Sequence, residues 1–252
     1  MNLTRFVKQS SVKLLKKGRF IWLYNPELLD DFCPSMFTIE YWQQKQAIIG
    51  SATGRGTSWF LSHPNVNLVW RHYLRGGLVG KINKDHYLYT ALAHTRATKE
   101  YQLLAQLQQE QLPVPKPIAL QIKRHGLSYQ ADIMIELIPG AKDLVGVLRA
   151  QPMAQAYWHK IGQVIRQFHD KQVYHHDLNA HNIMLDHQDK VWLIDFDQGA
   201  IKATSSSWKK QNLQRLLRSF EKENGLHKSS SKPFHWQPQN WQWLMDGYEG
   251  RA

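Results

Sequence analysis

The chain of 252 residues has little cysteine: Cys33 is the single one. One thiol makes neither an internal disulfide nor a multi-cysteine metal site, so nothing points to an oxidising compartment. Also absent is any uninterrupted apolar run of about 18 residues, the length that a helix spanning a bilayer needs. The basic start, with Lys13, Lys16 and Lys17, has no apolar stretch behind it and does not read as a signal peptide. Acidic residues are few, 20 Asp+Glu against 32 Lys+Arg, which leaves a net charge of +12. That excess favours anionic partners such as phosphate-bearing substrates, anionic lipid or nucleic acid. The expectation is a cytoplasmic protein that is soluble or rests on a membrane surface.

What is present is ordinary in bulk. Hydrophobic residues make up 42% and charged residues 21%, which excludes wholesale disorder. At roughly 100–150 residues per domain the length suits one large domain or two lobes. Tryptophan is the exception, with ten residues. Both membrane-surface proteins and proteins with large aromatic cores look like this.

The first half reads as strands with one helix. Residues 39–49 mix aromatic and β-branched residues and read as a strand, broken by Gly50–Gly56. Residues 66–73 are strand-like. Ala97, Tyr101, Leu104 and Leu107 share a face, which predicts a helix over 96–110, ended by the prolines of 112–117. Strands are expected near 118–122 and 129–137. The second half changes character, with a helix over 153–170, a loop dense in His, Asp and Asn, and a strand at 191–194. A basic helix follows over 208–222, then a Ser/Lys-rich loop at 227–232. The lobe boundary falls near 138–143, giving lobes of 1–140 and 141–252.

The densest chemistry lies between Tyr174 and Leu185. Asp177 and Asn182 sit five apart, and the apolar strand Val191–Ile194 ends on Asp195. An acid closing a buried strand is costly without a partner, and a divalent cation is a common one. Three oxygen-bearing groups then converge on a metal-bound polyphosphate. Asp177 orients and deprotonates a hydroxyl, while Asn182 and Asp195 hold Mg²⁺. The neighbouring His175, His176 and His181 could suggest zinc, but no cysteine accompanies them.

This segment resembles the protein-kinase-like fold. His175, Asp177 and Asn182 match the H-x-D-x-x-x-x-N catalytic loop, and Asp195-Phe196 matches the start of D-F-G. The resemblance implies an α+β, two-lobed protein-kinase-like fold: an N-terminal antiparallel sheet with one main helix, and a small, mostly helical C-terminal lobe. It also implies ATP and an ATP site upstream. Gly54, Arg55, Gly56 and Thr57 are the candidate phosphate cradle, although Trp59 stands where kinases have a third glycine. Arg71 occupies the strand position where protein kinases keep lysine, and Glu100 is its candidate ion-pair partner. Residues 133–140, with Glu136, resemble the strand that contacts adenine. Asn179 stands where many kinases place a lysine, and Asp197 where they place glycine.

Only 57 residues follow Asp195, and no A-P-E motif is among them. That length leaves no room for a peptide-binding activation segment, so the acceptor is expected to be a small molecule or a lipid-linked sugar. GSATGRGTSWF (50–60), WRHYLRGG (70–77), TRA (95–97) and the run from Tyr174 to Asp197 resemble the bacterial 3-deoxy-D-manno-octulosonic acid (Kdo) kinase family. The resemblance covers about residues 25–245 and includes arginine at 71. It implies transfer of a phosphoryl group from ATP to the 4-hydroxyl of a Kdo residue on a lipid A precursor. The setting it implies is lipopolysaccharide core assembly, peripherally on the cytoplasmic face of the inner membrane, with no nucleic acid and no obligate protein partner.

The alternatives are a kinase of another sugar, such as a heptose or an aminoglycoside-like acceptor, and a non-catalytic module binding anionic ligands. Arg75 and Arg96 are candidates for the Kdo carboxylate. Trp236, Trp241 and Trp243 either pack as core or meet lipid headgroups.

Overall fold

The structure, a computed structural model, describes residue 6 and residues 11–54, 56–75, 85–230 and 233–251. The chain divides into two compact units, Met1–Gln106 with Pro115–Leu137, and Leu107–Val114 with Ile138–Ala252. The class is α+β, with six α-helices among the described residues.

The first unit is built on an eight-stranded antiparallel sheet. Its strands are β1 (Lys13–Lys17), β2 (Phe20–Tyr24), β3 (Ile48–Thr53), β4 (Thr57–Leu61), β5 (Leu68–His72), β6 (Tyr87–Leu88), β7 (Pro117–His125) and β8 (Ser128–Glu136). The order is β1-β2-β7-β8-β5-β4-β3, with β6 paired to β8, so β1 and β3 end the path. Strands β7 and β8 are central and are buried over most of their length, with Gln121 and Asp132 as buried polar residues among the apolar ones. One core gathers Trp22, Trp42, Leu61, Leu68, Ile118 and Met134.

Residues 39–44 are not a strand. Helix α1 (Ile39–Gln44) occupies them, and β3 starts only at Ile48. Six residues are fewer than two helical turns, too few to show a period, so composition misleads there. Trp42 fixes the helix: it is buried, and its indole Nε1 donates to the Met36 carbonyl at 2.7 Å. Gly50 does not break the strand either. It pairs with Phe60, whose ring a Cβ at position 50 would meet at 3.1 Å.

Helix α2 (Arg96–Gln109) is where the apolar spacing places it. Ala97, Tyr101, Leu104 and Leu107 are all buried. The Thr95 hydroxyl accepts the Thr98 amide at 3.4 Å and so serves an otherwise unpaired donor at the helix start.

The second unit is mostly helical. It contains α3 (Leu144–Ala150), α4 (Gln155–Asp170), α5 (Ser206–Ser230) and α6 (Pro238–Glu249), with short strands β9 (Lys142–Asp143), β10 (Val173–Tyr174), β11 (Ile183–Leu185), β12 (Val191–Leu193) and β13 (Ala200–Ile201). The segment Leu107–Val114 goes with this unit, and its Pro113 carbonyl accepts from the Leu193 amide at 3.0 Å. Helices α4 and α6 cross at Gly162 and Gly247. A Cβ on Gly162 would lie 2.0 Å from the Leu244 carbonyl oxygen, and one on Gly247 would lie 2.2 Å from that of His159.

Helix α5 runs on through Ser230, so the expected loop at 227–232 is helical as far as 230; residues 231–232 lie outside the described residues. Tertiary contacts override the Ser/Lys composition. His227 is buried, accepts from Arg149 Nε at 2.9 Å and stacks on Phe234. Trp236 is core, stacked on Phe220, while Trp241 and Trp243 are half-buried on α6. No helix among the described residues is long and apolar enough to cross a membrane.

Candidate active site

In the first unit, Gly54, Gly56 and Thr57 form the tight turn of the β3–β4 hairpin; Arg55 lies outside the described residues. The Gly54 amide donates to the Gly56 carbonyl at 2.9 Å, and Gly56 leans on Leu74 so closely that a Cβ would meet Leu74 Cδ1 at 2.5 Å. Arg71 lies on β5, two strands in from the sheet end, and pairs in register with Ser58 just after the turn. Glu100 lies on the first half of α2.

Arg71 and Glu100 meet. Arg71 Nη2 donates to Glu100 Oε1 at 2.6 Å, and the Glu100 side chain is fully buried. The Tyr73 hydroxyl donates to the other carboxylate oxygen, and the Arg71 guanidinium lies 5.0 Å from the centre of the Tyr73 ring. Tyr73 thus fixes the pair from a second side, and motif spacing did not single it out. Next to Arg71, His72 bridges Asp132 at 2.9 Å and Asp85 at 3.2 Å. Burial works against its charge, but the two carboxylates outweigh burial and raise its pKa.

The other expected residues of this unit have different neighbours. Glu136 ends β8, its amide bonded to the Lys116 carbonyl and its carboxylate accepting the Lys116 amide at 3.2 Å. Arg75 donates to the His86 carbonyl at 2.8 Å, and Arg96 donates to the Tyr87 hydroxyl at 3.1 Å. Both guanidinium groups stack on the Tyr87 ring.

In the second unit the catalytic-loop residues hold one another in place. His175 is buried, with Nε2 2.9 Å from the Ile194 carbonyl oxygen and Nδ1 accepting the Asp177 amide at 3.2 Å. One nitrogen accepts, so the ring is neutral and Nε2 carries the hydrogen; burial, which lowers its pKa, agrees. Asn182 Nδ2 donates to the Asp177 carbonyl at 2.9 Å, and Asn179 Nδ2 donates to the same oxygen at 3.0 Å. The Ile194 amide donates back to the Asn182 carbonyl at 3.0 Å. Asp177, Asn182 and the strand leading to Asp195 are therefore one hydrogen-bonded assembly.

Asp195 departs from ordinary backbone geometry, with φ of +62°. That left-handed conformation is uncommon for a residue with a side chain and recurs at functional sites. It is followed by Phe196, fully buried between Phe168 and His175, which anchors the turn. Asn182 and Asp195 offer only oxygen donors once the Asn182 amide nitrogen is committed to Asp177. A carboxylate and an amide oxygen suit a hard divalent cation.

Sequence reasoning missed the contribution of α5. Arg215 Nη1 donates to Asp177 Oδ1 at 2.7 Å. Asn212 grips the backbone of His175 from both sides, accepting from its amide at 3.3 Å and donating to its carbonyl at 3.0 Å. Ser219 Oγ accepts the Ala180 amide at 3.0 Å. Positions 212, 215 and 219 follow steps of three and four, so a polar stripe on one helical face was the available signal.

His181 lies between two carboxylates. It sits 2.8 Å from Asp143 and 3.3 Å from Glu223, and its hydrogen bond to the Asp143 carboxylate, ahead of that to Glu223, raises its pKa against the effect of burial.

Comparison with known proteins agrees with this geometry. The lipopolysaccharide kinase (Kdo/WaaP) family matches residues 39–248. A protein named 3-deoxy-D-manno-octulosonic acid kinase from Vibrio parahaemolyticus is 47% identical over 206 residues, covering 82% of this chain and 86% of its own. Its namesake from Photobacterium profundum is 43% identical over 229 residues, covering 91% and 94%. That from Haemophilus influenzae is 47% identical over 212 residues, covering 81% and 88%. The chain belongs to the lipopolysaccharide kinase (Kdo/WaaP) family, a family of kinases with a protein-kinase-like fold.

Proposed function

We propose that the chain phosphorylates the 4-hydroxyl of a Kdo residue carried on a lipid A precursor, with ATP as donor. The observation that carries this reading is the His175–Asp177–Asn182 assembly: three hydrogen bonds converge on the Asp177 backbone, while its carboxylate stays at the surface. Relatives named Kdo kinase, 42–48% identical over most of this chain, support the acceptor class.

The chemistry is an in-line displacement. The acceptor oxygen forms a bond to the γ-phosphorus as the bond from that phosphorus to the β–γ bridging oxygen breaks, and ADP leaves with the electron pair. The acceptor proton passes to Asp177. Arg215 already holds Oδ1, which leaves Oδ2 to receive it. Arg71, oriented by Glu100 and Tyr73, turns its guanidinium to the nucleotide phosphates, and Gly54 and Gly56 of the hairpin turn let backbone approach them. Asn182 and Asp195 would hold Mg²⁺, which when bound neutralises phosphate charge. Little covalent work falls to the protein, so positioning and electrostatics supply most of the acceleration.

The test is mass spectrometry of a Kdo-bearing lipid A precursor after incubation with protein, Mg²⁺ and ATP. A gain of one phosphate is expected, with Asp177→Ala slower by about a thousandfold, within the ~10²–10⁴ typical of a lost acid–base group. No gain from folded, ATP-binding protein would move the acceptor to a heptose or an aminoglycoside-like sugar. Failure to bind ATP at all would favour a non-catalytic module.

A further inference from the structure

A pocket of about 510 Å³ opens beside Asp177, wholly within the second unit. The catalytic loop contributes Asp177, Asn179 and His181 to it, and one face of α5 contributes Arg215, Arg218, Lys222 and Glu223. Its two acids are already engaged: Asp177 with Arg215, and Glu223 with Arg149 and His181 at 3.3 Å each. Two cations are not. Among the described residues neither Arg218 nor Lys222 pairs with a carboxylate, and both are exposed.

Arg215, Arg218 and Lys222 follow steps of three and four, so three like charges line one helical face. That arrangement destabilises a helix by a few tenths of a kcal/mol per pair unless an anion joins it. Asp177 marks where the reacting hydroxyl sits. Arg215 has spent one donor on Asp177 and keeps the rest of its five-donor fork. Arg218 follows one turn along, about 4.5 Å at 1.5 Å per residue.

We infer that Arg218, with the outer edge of Arg215, is the specificity site for the acceptor's carboxylate. The inference rests on the Kdo reading proposed above, and the chemistry fits it. An ulosonic acid carries its carboxylate on the same six-membered ring as the hydroxyl that reacts. An anchor for that carboxylate must therefore lie beside Asp177, which is where the α5 cations stand. Guanidinium groups grip a carboxylate bidentately, and the contact separates an ulosonic acid from a neutral sugar of the same size. Arg75 and Arg96, the candidates by sequence, are stacked on Tyr87 within the first unit. Lys222, a further turn along, meets more distant negative charge on the acceptor.

The test compares three acceptors in steady-state kinetics: the Kdo-bearing lipid A precursor, the same molecule with its Kdo carboxylate converted to a carboxamide, and the acid form with the lipid phosphates removed. Wild-type protein is expected to favour the acid over the carboxamide about tenfold in kcat/KM, the factor that ~1.4 kcal/mol corresponds to. Arg218→Ala is expected to raise the KM for the acid by a similar factor and to treat acid and carboxamide alike within about twofold. Arg218→Lys restores part of the preference. Lys210→Ala, which removes one charge elsewhere on α5, leaves the preference in place and so separates the pocket from net charge.

An Arg218→Ala protein that still prefers the acid tenfold overturns the inference. So does one whose lost preference concerns the lipid phosphates instead, because the site would then hold a phosphate. A wild-type protein inactive on every Kdo acceptor overturns the functional reading first and this inference with it.

Discussion

The Arg71–Glu100 pair shows how much one buried carboxylate carries. Glu100 is fully shielded, and its two oxygens are taken by Arg71 and Tyr73. Removing it takes an ion-pair partner from a largely buried guanidinium and a hydrogen-bond acceptor from an aromatic hydroxyl. Breaking such a pair costs about 3–5 kcal/mol, and since Arg71 keeps some contact with water the lower figure applies. Glu100→Ala is expected to lose about 3 kcal/mol in urea denaturation and to raise the KM for ATP, as Arg71 no longer keeps one orientation. A loss under about 1 kcal/mol would mean that the pair is solvated like an ordinary surface bridge. At this scale the sequence was most legible for residues in one short segment. His175, Asp177 and Asn182 lie within eight residues and are held by local bonds, so their spacing implies their geometry. Tyr73 and Arg215 act through partners 27 and 38 positions away, a distance that no local pattern encodes.

Among the elements, the crossing of α4 and α6 makes the sharpest demand on sequence. Gly162 and Gly247 face backbone, not flexible side chains, so a methyl group has nowhere to go. Gly162→Ala is expected to force the helices apart, at about 3 kcal/mol, the upper range for overpacking. A methyl group on Gly225 of α5 would meet nothing within 4 Å, and alanine there is expected to stabilise by about 0.5–1 kcal/mol through helix propensity. Equal effects in thermal or urea unfolding would mean that the close approach is not what fixes α6. Elements were legible in proportion to their length. Helices α2 and α4 show several apolar repeats each, whereas α1 is too short to show one. The last turn of α5 exists because His227 and Phe234 pack, a contact invisible to composition.

For the whole molecule, the charge of +12 decides how it meets its surroundings. Lys13, Lys16 and Lys17 lie on β1, every residue of which is exposed. The acceptor proposed above hangs from a lipid that bears phosphates, so a protein of this charge is expected to float with anionic vesicles at low salt. Binding should fade toward 1 M salt, where the screening length falls to about 3 Å. Flotation that ignores salt, or no flotation at all, would overturn this electrostatic account of how the enzyme reaches its substrate. Trp236 takes no part in it, since it is stacked inside the second unit.

Among the described residues β1 and β3 end the path of the eight-stranded sheet, and these two ends have a consequence of their own. A protein gathered on a membrane reaches high local concentration, where unpaired strand edges invite edge-to-edge joining of neighbouring copies. Here β1 presents three lysines along one edge, and β3 at the other carries a register shift between Ile48 and Gly50. Both are known guards against self-templating, one by repulsion and one by distorting the ladder. On the electrostatic account tested by flotation, lysines that would draw the chain to lipid would also keep crowded copies from growing into a shared sheet.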